Sequence, residues 1–283
     1  MAFRTDLALE LADREQIQEG ITRTIRGKAF KITEIVIEDD KYGKSIGKGK
    51  GRYITLEGES LSAFSDSYRE MAEEFAGEVK KIMGDGEGQV LVVGLGNDDI
   101  TPDALGSLSA SGVMATRHLR TELAEDEFLS GLRGVSVLLS GVLGTTGIES
   151  SEIVKAISDK IKPDIIIVID ALACSELSRL GKTIQISDTG ISPGSGVENK
   201  RKELSQRTLG VPVIAIGVPT IIDMHTVAEE LTGKRADDKM PNMMVTPKDI
   251  DRLVSHASRL ISTGLNLALQ PALDFDDAAE LAV

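Results

Sequence analysis

The chain has no tryptophan, and its aromatic residues make up only 3% of 283 positions. A core built from it must rest on Ile, Leu, Val, Ala and Met, packed by shape rather than by stacked rings. A single cysteine, Cys174, excludes an intrachain disulfide, so nothing points to an oxidising compartment. No apolar run approaches the roughly 18 residues of a membrane span, and the opening Met-Ala-Phe-Arg-Thr-Asp lacks the apolar stretch of a signal peptide. The expectation is a soluble, cytoplasmic protein with no membrane contact. Lys and Arg number 32 against 45 Asp and Glu, and a net charge of −13 argues against a direct nucleic-acid binder.

What is present is ordinary globular composition, 41% hydrophobic, in a chain long enough to bury a sizeable core. Residues 1 to 20 are polar and without strong period. Ala29 to Glu38 alternates as a half-buried strand should, and Arg52 to Glu57 is a second short strand. Between them Tyr42 to Gly51 carries four Gly and three Lys; without the ordered Gly-Lys-Ser/Thr spacing of a phosphate loop it reads as a flexible solvated segment. From Ser60 the apolar residues Phe64, Tyr68, Met71, Phe75, Val79 and Ile82 recur at helical spacing. Four apolar runs follow: Val90 to Val93, Val135 to Leu139, Ile165 to Ile169 and Val211 to Gly217, the last closed by Pro219. Helical segments separate them: one from Thr101-Pro102 to about Arg120, one over Ser150 to Ile161, and a short piece after Asp170 to Leu180. Further helices are expected at Lys200, from Ile221 to about Leu231, and from the cap pair Thr246-Pro247 to about Leu269, before a frayed acidic tail. Strands alternating with helices, apolar on both faces, predict an α/β fold: a mostly parallel sheet flanked by helices on both faces, with an N-terminal β-containing extension.

In such sheets sites form beyond the carboxyl ends of the strands, and two aspartates stand there. Asp103 lies just after Thr101-Pro102, in the first turn of a predicted helix. A bland role is available, since the helix field stabilises an acid there by about 0.3 to 1 kcal/mol. Asp170 ends the run Ile165 to Ile169; it would either cap the next helix or serve as a functional carboxylate kept despite the cost of desolvation. Facing each other, the two would separate into a base and an acid, the pair that activates water on an amide and protonates the leaving nitrogen. The same two would also suit a divalent metal, for which a third ligand is wanted. His118, His225 and His256 fall in predicted helices at no ligand spacing, Cys174 has no placeable base, and Gly94-x-Gly96 lacks the third glycine of a dinucleotide fingerprint. The run Lys200-Arg201-Lys202 reads as a solvated face or as a site for acidic substrate side chains.

Several blocks carry a resemblance: GLGNDDITPDALG (94 to 106), GTTGIESSEIV (144 to 154), KPDIIIVIDALA (162 to 173), TIQISDTGISPGSGVENKRKELS (183 to 205), LGVPVIAIGVPTIID (209 to 223) and MMVTPKDID (243 to 251). In this order they resemble the germination protease of endospore-forming bacteria, with further matches at Arg4 to Glu10 and Gly51 to Glu57. The resemblance implies an aspartic-type endopeptidase, related in fold to hydrogenase-maturation proteases, acting on small acid-soluble spore proteins in the forespore and spore core. It implies catalytic roles for Asp103 and Asp170, no cofactor, a tetrameric assembly and a zymogen that removes an N-terminal propeptide. The family's substrates resemble Thr-Glu-Phe-Ala-Ser-Glu, cut after the first Glu. Thr5-Asp6-Leu7-Ala8-Leu9-Glu10 follows that pattern, so autoprocessing is expected between Asp6 and Leu7, leaving residues 7 to 283 as one peptidase domain with an N-terminal part over 7 to 85 and a core over 86 to 283. Three departures stand out. A long insertion between the helix expected from Ile221 and the MVTPK motif is missing, the propeptide is only six residues, and Ser192 replaces a histidine often found in the family. The last favours a carboxylate pair without metal.

Overall fold

The computed structural model describes residues 5–15, 20–43, 47–63, 65–86, 88–119, 131–194, 202–234 and 243–282, the side chains of Arg14 and Glu15 excepted. The strands are β1 (Ile21–Arg26), β2 (Lys31–Ile37), β3 (Gly51–Glu57), β4 (Val90–Gly94), β5 (Val135–Leu139), β6 (Ile165–Cys174), β7 (Thr183–Ser187), β8 (Val213–Asp223) and β9 (Met244–Val245). They form one mixed sheet in the order β1-β2-β3-β7-β8-β6-β4-β5, with β9 on β8. The parallel half is β8-β6-β4-β5. The N-terminal strands are antiparallel and join that half through β7, so the extension is continuous with the core sheet.

Helices cover both faces. On one, α3 (Tyr68–Met83), α4 (Leu105–Ser111) and α9 (Ile250–Leu269) bury Ile165, Ile167 and Ile169 of β6 with Val90, Val92, Ile214 and Ile216. On the other, α6 (Ser150–Ile161) and α7 (Gln206–Leu209) meet Ile166, Val168, Leu91 and Val93. Neighbouring residues of a strand point to opposite faces, so five consecutive apolar residues are what a doubly covered strand requires. On the N-terminal half, α1 (Ala8–Glu15) packs Ala8 and Leu9 against Ile35 and Ile37 of β2 and Tyr53 of β3. The short helices α2 (Asp40–Gly43), α5 (Leu143–Thr146), α8 (Met224–Thr232) and α10 (Phe275–Leu281) complete the described set.

Several boundaries differ from the sequence expectation. The strand ending in Asp170 continues to Cys174, and β8 runs through Pro219 to Asp223 in place of a helix from Ile221. Pro219 is tolerated because β8 has by then left β7, whose pairing stops at Gly217, and the ladder to β6 shifts register between Leu172 and Ala173. The helix after Asp103 ends at Ser111 rather than near Arg120, and α9 starts at Ile250, so Thr246-Pro247 does not cap it. The acidic tail is ordered as α10, whose Asp274 accepts from Asp277 N and whose Ala278 is buried. Residues 202 and 203 precede α7 without being helical, and the expected helix start at Lys200 and Arg201 lies outside the described residues. No described helix is long and apolar enough to cross a membrane.

Candidate active site

The site lies where β4 ends beside the middle of β6. After Gly94 the chain turns through Leu95 and Gly96 into a single 3-10 turn, Thr101–Asp103, and then α4. Thr101 is inside that turn and makes no capping bond, contrary to the expected N-cap; Ile100 precedes it in extended conformation. Gly96 has φ +105°, and a Cβ there would come within 1.8 Å of Asp103 O. Gly106 lies so close to the strand ends that a Cβ would meet Ile169 O at 2.2 Å and Leu95 O at 2.5 Å. Both glycines are needed for the 3-10 turn and α4 to sit on the sheet's end, which brings Asp103 beside it.

Asp103 is half-buried, and its Oδ2 accepts from Asn97 N at 2.8 Å. The turn is tied to β8 by Thr220, whose hydroxyl donates to Pro102 O at 2.8 Å. Asp170 is 6% exposed, and its Oδ1 accepts from Ala171 N at 3.0 Å. By alternation along β6 it follows Ile166 and Val168 onto the α6 face, where a cavity of about 340 Å³ opens. Asp103, Asp170 and Asp6 all line it, with Leu95, Gly96, Val142 and Ser150. The two aspartates from distant blocks thus share one cavity, and the residue before the expected cut shares it with them.

The segment from Thr5 to Glu10 is docked. Asp6 N donates to Ala173 O at 2.9 Å, and Ala173 N donates to Asp6 Oδ2 at 2.9 Å. Asp6 O accepts from Lys48 Nζ at 2.8 Å and from Gln185 Nε2 at 3.1 Å, while Gln185 Oε1 accepts from Ala8 N at 2.7 Å. Leu7 is fully buried among Leu172, Cys174 and Ile222. Glu10 is fully buried too; Ser175 N and Oγ donate to its Oε2 at 2.8 and 2.6 Å, Glu176 N to Oε1 at 3.2 Å, and Thr5 Oγ1 to Oε2. Burial raises the Glu10 carboxyl above the usual range despite those bonds, and the nearby Glu176 charge adds to the rise.

The other candidates lie elsewhere. Lys202 pairs with Glu152 on α6 at 2.8 Å, both side chains more than half exposed, and does not line the cavity; Lys200 and Arg201 lie outside the described residues. Burial pushes the Cys174 thiol up, Glu10's charge adds to this, and the thiol faces Ile221 O at 3.7 Å; it is a packing group. His118 is exposed and outside any helix. Among the described residues no group of three or more His, Cys, Asp or Glu is arranged to hold a metal ion.

A family model described as germination protease matches residues 5–232. The chain belongs to the germination protease family. The germination protease of Clostridium tetani is 42% identical to it over 98% of both chains, that of Clostridium acetobutylicum 40% over 98% of both, and that of Caldanaerobacter subterraneus 41% over 96% of both. Among solved structures, a [NiFe] hydrogenase maturation protease, HycI from Thermococcus kodakarensis, matches with TM-score 0.39 and 19% identity, over 68% of this chain and 98% of its own. This germination-protease chain is therefore a peptidase, and its sequence had singled out Asp103, Asp170, Asp6 and Leu7. Sequence reading passed over Lys48 and Gln185. Lys48 sits in the Gly- and Lys-rich stretch read as solvated, and nothing in the pattern separates it from Lys41, Lys44 or Lys50.

Proposed function

We propose that this chain is a sequence-specific endopeptidase that degrades small acid-soluble spore proteins during germination, made as a zymogen that first cuts itself between Asp6 and Leu7. The observation carrying this reading is that Asp103, Asp170 and Asp6 line a single cavity beyond the end of β4 and beside β6. Asp103, half-buried and held by Asn97 N–H, is the base that takes a proton from water; buried Asp170 is the acid that protonates the leaving nitrogen. The pair works without a resident cofactor. The spore proteins offer an acidic residue followed by a large and then a small apolar one, the pattern of Asp6-Leu7-Ala8. We assign the protein to the forespore and spore core, as a homotetramer, on family grounds.

Replacing Asp103 or Asp170 singly by Asn tests the chemistry. Each should lower cleavage of a Thr-Glu-Phe-Ala-Ser-Glu peptide, and loss of residues 1 to 6, by about 10² to 10⁴-fold with folding intact. Full activity in either folded variant sinks the carboxylate pair.

A further inference from the structure

Lys48 and Gln185 converge on one carbonyl oxygen, and it belongs to the peptide bond between Asp6 and Leu7. The Gln185 side chain also accepts from Ala8 N, so one amide grips the backbone on both sides of that bond. A lysine Nζ and an amide N–H aimed at a single carbonyl are the donors an acyl-transfer site needs, because negative charge develops on that oxygen during attack. Four residues on, the Glu10 carboxylate fills a socket made of two backbone N–H groups and the Ser175 hydroxyl. Gln185 thus holds both Asp6 and Ala8, while Leu7 is held by an apolar pocket and Glu10 by its own socket.

Resting on the peptidase reading above, we propose that the groove filled by Asp6–Glu10 is the substrate subsite array, occupied in cis. Lys48 and Gln185 are its carbonyl-binding groups, and the Ser175–Glu176 amides receive an acidic side chain four residues past the cut. Water attacks the Asp6 carbonyl carbon as one carboxylate takes its proton. A C–O bond forms, and the C=O electron pair moves onto the oxygen held by Lys48 and Gln185. Collapse restores the carbonyl and breaks the C–N bond, while Leu7 nitrogen takes a proton from the other carboxyl. The products are a chain ending in the Asp6 carboxylate and a chain beginning with the Leu7 amine. Incoming acidic peptides then compete with Leu7–Glu10 for the same subsites.

The test follows loss of residues 1 to 6 from the full chain by intact mass, over a hundredfold range of protein concentration. Processing in cis gives a rate constant independent of concentration. Lys48→Met should slow it about a hundredfold, with Lys48→Arg restoring part of the rate. Glu10→Gln, which keeps shape and removes charge, should slow it tenfold or more. If Lys48→Met fails to fold, as judged by circular dichroism, the wild-type chain still decides. A peptide Thr-Asp-Leu-Ala-Leu-Glu, blocked at both ends, should then be cut at least tenfold faster (kcat/KM) than its Gln-ended analogue. Wild-type processing rates in folded Lys48→Met, or equal cleavage of the two peptides, overturn the proposal and leave the aspartate pair standing. Normal processing in Asp103→Asn or Asp170→Asn overturns the peptidase mechanism itself.

Discussion

Glu10 is fully buried and Glu34 is 9% exposed, yet different chemistry holds the two carboxylates. Glu34 on β2 accepts from Arg26 Nη1 at 2.7 Å and from Arg52 Nε and Nη2 at 3.0 and 2.6 Å, joining β1, β2 and β3; Arg26 also binds Glu78 on α3. Burial pushes Glu34 up, but the hydrogen bonds and charges of Arg52 and Arg26 outweigh it and hold the carboxyl below the usual range. Around Glu10 the balance reverses. Its donors are neutral, and the nearest guanidinium, Arg179, stays 3.9 Å away while binding Glu176, Glu57 and Asp13. A carboxylate between permanent cations is a strut, because removing it takes the carboxylate from Arg52 and leaves Arg26 with Glu78 alone. One held by backbone N–H groups can leave and be replaced by another acid, as a substrate site requires.

The largest effect that would break this contrast is on stability. Glu34→Ala should cost about 2 to 3 kcal/mol, below the usual range for a broken buried pair because Arg26 and Arg52 are a quarter to a third exposed and regain water. Urea denaturation measures the loss, and processing after Asp6 should stay within about threefold of wild type. Glu10→Gln should show the opposite profile: a stability change under about 1 kcal/mol, since burial already disfavours the charge there, with the processing defect described above. Similar stability losses in the two variants would erase the distinction between strut and exchangeable ligand.

The parallel half of the sheet was legible because burial on both faces leaves a strong sequence mark. Five consecutive apolar residues before Asp170 announce a covered strand. The sheet's other half was harder to read. β1 has an exposed middle, with Ile25 58% accessible, so no alternation betrays it. The extensions of β6 and β8 past Asp170 and Gly217 were hidden by Pro219, whose lack of an N–H usually stops a strand and here coincides with a register shift. The docking of Thr5–Glu10 left no periodic trace, because its partners come one at a time from a loop lysine, a strand glutamine and a strand end.

Acidity should separate the two carboxylates by sign. Glu34, with its pKa lowered, contributes stability that is present above its usual value of 4.5 and lost as pH falls through the lower folded value. Glu10, with its pKa raised, contributes stability that is fully present below 4.5 and lost as pH rises through the higher folded value. Amide protection factors, which remove the intrinsic pH dependence of exchange, should therefore rise at Ser175 and Glu176 as pH falls from 8 to 5, while those at Arg26 and Arg52 hold steady. Falling protection at Ser175 over that interval would reverse the assignment.

The smallest effect expected is at the socket wall. Ser175→Ala removes the hydroxyl bond to Glu10 but keeps both backbone donors, so docking should weaken by about 1 kcal/mol. That hydroxyl lowers the Glu10 pKa in opposition to burial, so its loss should carry the Glu10 transition to still higher pH. Following the Glu10 carboxyl by carbon-detected NMR in the two proteins measures the displacement. A transition that moves downward, or not at all, would mean that the Ser175 hydroxyl does not hold the charged form and that the backbone amides alone make the socket.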